Sequence, residues 1–180
     1  MKTELTDGTI TLRRTLTTDA EAIYTAVDET RADLTPWIPW YHDNYSLEDS
    51  KSWLETRDEA WNNGTEYDLA IVDAATGEYI GGTGVVSVNK MHNRGEIGYR
   101  IRTSRAGRGV APAAAKLAAR FAFEELGLDR VCLNIAADNT RSRRVADKIG
   151  AKLEGILRSY YTLRGVRHDA VVYSILKGEL

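Results

Sequence analysis

The sequence predicts a mixed α/β domain whose central sheet is mostly antiparallel, with one part parallel and helices on its flanks. Three observations lead there. The apolar runs Tyr67–Val72 and Tyr79–Val88 are separated only by Ala74-Ala-Thr-Gly77, a short glycine-bearing loop that joins antiparallel neighbours. Glu96–Arg102 and Arg130–Ala136 are instead separated by a long alanine-rich stretch with helical spacing, and a second helical stretch precedes Lys152–Leu157. Connections of that length carry the chain back over a sheet and place part of it in parallel.

Taken in order, Thr9–Arg13 alternates, with Ile10 and Leu12 on one face, and reads as the first strand. Thr18-Asp-Ala-Glu21 has the form of a capping box and opens a helix to about Asp28, burying Ile23 and Val27. Asp33–Tyr41 carries Pro36, Pro39, Trp37, Trp40 and Tyr41 and is expected to be irregular. Ser46 then caps a helix to about Asn62, with Leu47, Leu54 and Trp61 on one stripe, closed by Asn63-Gly64. After the three strands Tyr67–Val72, Tyr79–Val88 and Glu96–Arg102, a helix runs from Pro112 to Leu126 and stops at Gly127. Arg130–Ala136 is a buried strand, Asn139–Ile149 a short helix closed by Gly150, and Lys152–Leu157 a strand. Arg164-Gly165 turns the chain into a last strand, His168–Leu176. The order is β-α-α-β-β-β-α-β-α-β-β, without repeats or linkers, so residues 1–180 are read as a single domain.

Composition narrows the function classes. A chain of 180 residues, 43% hydrophobic and 28% charged, buries a sizeable core without disulfides. The single cysteine, Cys132, is a small buried hydrophobe, and its isolation suits a reducing, cytoplasmic setting. The first residues lack the apolar run of a secretion signal, and nothing approaches the roughly 20 apolar residues of a membrane span. A net charge of −2 argues against a broad nucleic-acid face. His42, His92 and His168 are scattered singly, so no metal site is expected. Against this background Arg102, Arg105, Arg108, Arg141, Arg143 and Arg144 gather near two loops, a focused anion site.

The first of those loops, Arg105-Ala-Gly-Arg-Gly-Val-Ala111, joins a strand to a helix. Such a junction leaves unpaired backbone N–H groups at the positive end of a helix dipole, a seat for phosphate. Gly109 lets a ligand approach the backbone, and Pro112 suits a first helical turn. A P-loop would need Lys-Ser or Lys-Thr where Val110-Ala111 stands, and a dinucleotide fingerprint would need a third glycine where Pro112 stands. In the second loop, after Ile135, Asn139 is placed to cap a helix with Ser142 one turn in.

Together with "TITLRR", "LTPWIPW", "EIGYRI", the Asn-x-x-Ser element and "RGVRHDAVVYSIL", these loops resemble the RimJ/RimL branch of the GNAT N-acetyltransferases over essentially the whole chain. The resemblance implies the GNAT fold, in which two adjacent strands splay to admit the pantetheine arm of acetyl-CoA. By it, the backbone of Ile101 and Arg102 would pair with the pantetheine amides, and Arg108, Gly109, Val110 and Ala111 would cradle the pyrophosphate. Asn139 would hydrogen-bond the pantetheine, and Ser142 would stand near the thioester sulfur. Ala106 departs from the family's Gln or Arg, and Arg105 is placed to supply the charge instead.

Acetyl transfer to an amine needs a neutral nucleophile, a donor for the oxyanion and a proton or hydrogen bond for the departing thiolate. Ser142 suits the thiolate, because its hydroxyl donates and re-orients. For the base, the resemblance to RimL-like enzymes runs through the last hairpin, but where some of them carry an acidic residue this chain has Tyr161; Glu96 is the alternative, acting directly or through water. An α-amine, with a pKa of about 8, asks little of a base, and a lysine amine at about 10.4 asks much more. Trp37 and Trp40 are candidates to wall the acceptor slot, to plug the gap between the first two helices, or to meet a partner subunit.

The leading expectation is therefore acetylation of a protein N-terminal α-amine, such as that of a ribosomal protein, without a metal. The alternatives are acetylation of a small amine (an antibiotic, a polyamine or an aminoacyl conjugate) and a non-catalytic acyl-CoA-binding module. The resemblance also carries the expectation of a homodimer.

Overall fold

A computed structural model describes residues 2–180. Its centre is an eight-stranded sheet of β1 (Glu4–Thr6), β2 (Ile10–Arg14), β3 (Tyr67–Asp73), β4 (Tyr79–Asn89), β5 (Arg94–Ile101), β6 (Arg130–Ala136), β7 (Lys152–Leu163) and β8 (Val166–Leu176). The spatial order is β1-β2-β3-β4-β5-β6-β8-β7. Every neighbouring pair is antiparallel except β5 and β6. The helices are α1 (Ala20–Glu29), α2 (Arg31–Leu34), α3 (Leu47–Glu55), α4 (Arg57–Asn63), α5 (Val110–Glu124) and α6 (Thr140–Lys148).

Each face of the sheet has its own core, because strand side chains alternate between faces. On one face, Leu69, Ile71, Val85, Ile97, Leu133 and Tyr173 pack against Ala114, Ala118 and Phe121 of α5 and Ala146 of α6. On the other, Ala70, Val72 and Tyr79 pack against Ile23 and Val27 of α1, Tyr41, and Leu54 of α3. β3 is thus covered on both sides, which is why it reads as a nearly continuous apolar run.

Several local details differ from the sequence reading, among them the short helix α2, which reaches Leu34 within the stretch expected to be irregular. β1 adds a strand before the first one expected; three residues are too few to show a period. The first helix opens at Ala20 after a 3₁₀ turn, and its cap is not the Thr18–Glu21 box. The Asp19 carboxylate instead accepts the Leu16 N–H at 2.8 Å and two guanidinium bonds from Arg13 at 2.8 and 2.7 Å. The second helix breaks at Thr56, where the Thr56 hydroxyl and the Arg57 Nε both donate to the Trp53 carbonyl and compete with the helical ladder. β7 runs on to Leu163; it is a mostly exposed edge strand with a bulge at Ser159 (φ 53°), so no buried alternation marked its length.

Two features position the site. β5 and β6 pair only from Arg94↔Arg130 to Glu96↔Cys132 and then diverge. The α5 helix starts at Val110, two residues before the expected Pro112, with Gly109 as its cap in the left-handed region (φ 81°). Pro112 is then the third helical residue, still within the turn whose N–H groups have no helical acceptor.

Candidate active site

Beyond Glu96, the edge of β5 that faces β6 has no strand partner. The Arg102 N–H donates to the Ile80 carbonyl at 2.9 Å, and the Thr83 hydroxyl donates to the Gly98 carbonyl at 2.8 Å, so the even-numbered residues turn their backbone groups toward β4. By alternation, Tyr99 and Ile101 turn theirs into the gap. A pantetheine-like amide chain therefore has Ile101 available. Arg102, expected beside it, has its N–H on Ile80 and its carbonyl accepting from Arg105 at 2.9 Å.

The Arg/Gly turn closes the gap at one end. Gly107 (φ 76°) and Gly109 (φ 81°) both lie in the left-handed region, and no atom stands within 4 Å of the place a Cβ would occupy on either. Backbone conformation, rather than crowding by the protein, calls for glycine here. The arginines divide into two groups. Arg102 pairs with Glu29 at 2.6 Å and Glu78 at 3.1 Å, Arg141 pairs with Asp33 at 2.7 Å, and Arg105 pairs with Glu78 and with Asp73 at 3.5 Å. Arg105 therefore braces the β3–β4 loop and does not replace the side chain that Ala106 lacks. The Glu29 carboxyl, which accepts from Ser104 and Arg102, is held down to about 2, so this brace stays charged. Among the described residues Arg108 and Arg144 make no ion pair, and the buried Nε of Arg143 has no partner, while its Nη1 donates to the Ala137 carbonyl at 3.2 Å. Unpaired first-turn N–H groups with uncommitted guanidinium groups beside them suit a pyrophosphate.

Asn139 caps α6 as its position predicts, its Oδ1 accepting the Ser142 N–H at 3.0 Å, which leaves the Asn139 amide N–H₂ for a ligand. The hydroxyls of Ser142 and Tyr99 meet at 2.8 Å, and the Tyr99 hydroxyl also reaches the Ser142 carbonyl at 3.2 Å. Burial raises the Tyr99 phenol to about 12, so it remains a proton donor at neutral pH. Tyr99 was not singled out in the sequence, where it reads as one more aromatic on an apolar strand.

On the opposite face the structure brings both base candidates together. Glu96 Oε2 accepts from the Asn134 side chain at 2.8 Å, and the Tyr161 hydroxyl donates to the Asn134 carbonyl, also at 2.8 Å. Burial raises the Glu96 carboxyl. Burial also raises the Tyr161 phenol, and the Glu96 charge raises it further, which makes Tyr161 a donor and not a base at neutral pH. His168 lies 3.3 Å from Asp138, not paired with its neighbour Asp169, which instead accepts the Ser159 N–H at 2.7 Å.

Beside this group, a cleft of about 540 Å³ opens over Gly82, Gly84 and Gly98, walled by Trp40, Tyr45 and Trp53. Of the two loop tryptophans, Trp40, 48% exposed, lines this cleft and Trp37 does not; Ile38 from the same loop lines it as well. Trp53, Arg57, Asp68 and Arg100 also line it and were missed, because the sequence shows them only as an ordinary helix face and alternating strand residues.

Residues 9–152 match the acetyltransferase (GNAT) domain family. The chain belongs to the GNAT acetyltransferases. It is 32% identical over 174 residues to the Bacillus subtilis protein named "Putative ribosomal N-acetyltransferase YdaF", covering 94% of this chain and 92% of that one. The fold matches the ribosomal-protein-S5-alanine acetyltransferase of Vibrio fischeri with a TM-score of 0.89 at 20% identity, over 99% of this chain and 98% of that one. It also matches RimL, the ribosomal L7/L12 alpha-N-protein acetyltransferase, in complex with coenzyme A, with a TM-score of 0.87 at 20% identity over 93% and 94% of the two chains. The protein is thus an acetyl-CoA-dependent N-acetyltransferase of the GNAT family. Among the described residues no helix is long and apolar enough to cross a membrane, and no group of three His, Cys, Asp or Glu residues gathers to hold a metal.

Proposed function

We propose that this enzyme acetylates the N-terminal α-amine of a protein, such as a ribosomal protein. The observation that carries the proposal is the glycine-floored, aromatic-walled cleft lying against the splayed strands. Gly82, Gly84 and Gly98 present bare backbone, over which an extended chain end passes closely, and Trp40 and Trp53 hold it at small entropic cost. The relative named for ribosomal N-acetylation supports the same reading.

Bound acetyl-CoA supplies the activated acetyl group. The protein's own groups do the rest. Ile101 aligns the pantetheine along the open edge of β5, with Asn139 opposite. The turn Arg108-Gly-Val-Ala111 holds the pyrophosphate. Glu96, made more basic by burial and oriented by Asn134, takes a proton from the incoming ammonium group, directly or through one water. Tyr161 supports it by fixing the Asn134 carbonyl. Ser142 directs its hydroxyl hydrogen to the departing sulfur while its oxygen accepts from Tyr99. One modest base suits an α-amine, about a tenth of which is neutral at pH 7.

A homodimer is carried with this reading: the edge strand β7 leaves Leu153, Ile156 and Leu157 exposed, and sedimentation of the full chain tests it. The function is tested by acetyl-CoA-dependent thiol release with N-terminal peptides set beside polyamines, aminoglycosides and amino-acid conjugates. Turnover confined to small amines would assign the protein to small-molecule acetylation. Thermal stabilisation by acetyl-CoA without turnover of any acceptor would leave a binding module.

A further inference from the structure

Among the described residues, one guanidinium in the acceptor cleft makes no contact with a carboxylate, that of Arg100. The cleft's own carboxylates are engaged: Asp49 accepts the Ser46 N–H at 2.8 Å and hydroxyl at 2.7 Å and faces His42 at 3.5 Å. Glu66 and Asp68 share Nη1 of Arg57 at 2.5 and 2.9 Å. Arg100, on β5 at the cleft floor, has no carboxylate within ion-pair distance among the described residues; Asp68 feels its charge only at longer range. Among the described residues its side chain makes one hydrogen bond, a stretched one from Nη2 to the Tyr79 hydroxyl at 3.5 Å, and its buried Nε has no partner.

The surroundings hold this guanidinium in place. It lies over Gly82, where a Cβ would stand 3.1 Å from Cζ. Trp40 and Trp53 flank it, with ring centroids 5.9 and 5.3 Å from Cζ. Beside the two rings, the planar fork keeps N–H donors without acceptors among the described residues, and a carboxylate, which takes two parallel N–H bonds, is the partner it fits best.

Resting on the assignment of this cleft to the acceptor, we propose that Arg100 is a specificity-determining residue that binds a carboxylate of the acceptor. The acceptor is then a protein N-terminus with Asp or Glu among its first residues. The same chemistry would come from the α-carboxylate of a free amino acid, and the experiment separates the two.

Trp40 and Trp53 stand beside the guanidinium, so tryptophan fluorescence reports occupancy without turnover. The full-length protein with CoA bound is titrated with C-terminally amidated Ser-Glu-Ala-Ala and Ser-Gln-Ala-Ala, with serine and serinamide, and with spermidine. The glutamate peptide is expected to bind about tenfold or more tightly than the glutamine peptide, the size of one charge-assisted hydrogen-bonded pair. Arg100→Gln should abolish that ratio and Arg100→Lys should reduce it, with CoA affinity unchanged and melting confirming that both fold. Equal binding of the two peptides by the unmodified protein, or tighter binding of spermidine, would overturn the proposal. Discrimination seen only between serine and serinamide would overturn the peptide assignment and leave the carboxylate site. Selective binding of the glutamate peptide without its acetylation would refute N-terminal acetylation while Arg100 stands; equal acetylation of both peptides with equal KM would do the reverse.

Discussion

Replacing Glu96 with Gln isolates the proposed base, because the geometry survives the change. The Gln oxygen can still accept from the Asn134 side chain, now 2.8 Å from Glu96 Oε2, so what is lost is charge. Removing a charge-assisted bond costs about 1 kcal/mol. Relief of a buried carboxylate offsets that loss, since burial has raised the Glu96 pKa. A raised folded-state value means that ionising Glu96 opposes folding. That cost is absent below the unfolded value near 4.5 and fully present above the raised one. The variant should therefore melt within roughly 3 °C of the unmodified enzyme at pH 7, one kcal/mol corresponding to about 2–4 °C at this size. Activity should fall much further. Without the base only the neutral tenth of an α-amine reacts at pH 7, a loss of about tenfold, and lost general-base assistance extends it to about 10²-fold. Thiol release measured from about pH 6 to pH 9 separates the two contributions. The unmodified enzyme should lose kcat/KM as pH falls through the raised Glu96 pKa, and the variant should recover as the amine deprotonates. Equal kcat/KM for the two proteins across that range would refute Glu96 as the base.

Other consequences follow from the same arrangement. Ser142→Ala should lower kcat by about tenfold or more and leave the acetyl-CoA Kd within about twofold, the loss of one hydrogen bond made at the leaving group; unchanged kcat would remove its leaving-group role. Gly109→Val forces a β-branched residue to φ 81° at a cost of about 1–3 kcal/mol and should weaken acetyl-CoA binding measured by calorimetry, with unchanged affinity arguing against the turn as the pyrophosphate seat. Gly82→Val places a side chain against the Arg100 guanidinium and should raise the KM for acceptor and not that for acetyl-CoA. Tyr161→Phe should lower activity less than Glu96→Gln, since Tyr161 acts only through the Asn134 carbonyl.

The parts of this architecture that repeat a local pattern were legible in the sequence. The Asn139 cap and the Arg164-Gly165 turn (φ 51° and 77°) each need particular residue types at fixed offsets, and they stand where the sequence placed them. Gly109 also stands where a special backbone was expected, although its left-handed conformation, and not room for a Cβ, is what the fold requires. The divergence of β5 from β6 was expected through family resemblance, whereas its starting point after Glu96 depends on where pairing stops, which no residue type signals. The acceptor cleft was the least legible part. Trp53 comes from α3, Asp68 from β3 and Arg100 from β5, and only the tertiary fold makes them neighbours. Charge clustering in sequence likewise overcounted the anion site, because Arg102, Arg105 and Arg141 find carboxylates on Glu29, Glu78, Asp73 and Asp33, far away in the chain.

The most direct test of the central claim is the rate of acetyl-CoA-dependent thiol release with an N-terminal peptide, its N-blocked counterpart carrying a free lysine, and spermidine, each at equal concentration. The account predicts turnover of the free N-terminus well above the other two, with mass spectrometry placing the acetyl group on the α-nitrogen. Faster acetylation of spermidine or of the lysine side chain would contradict it.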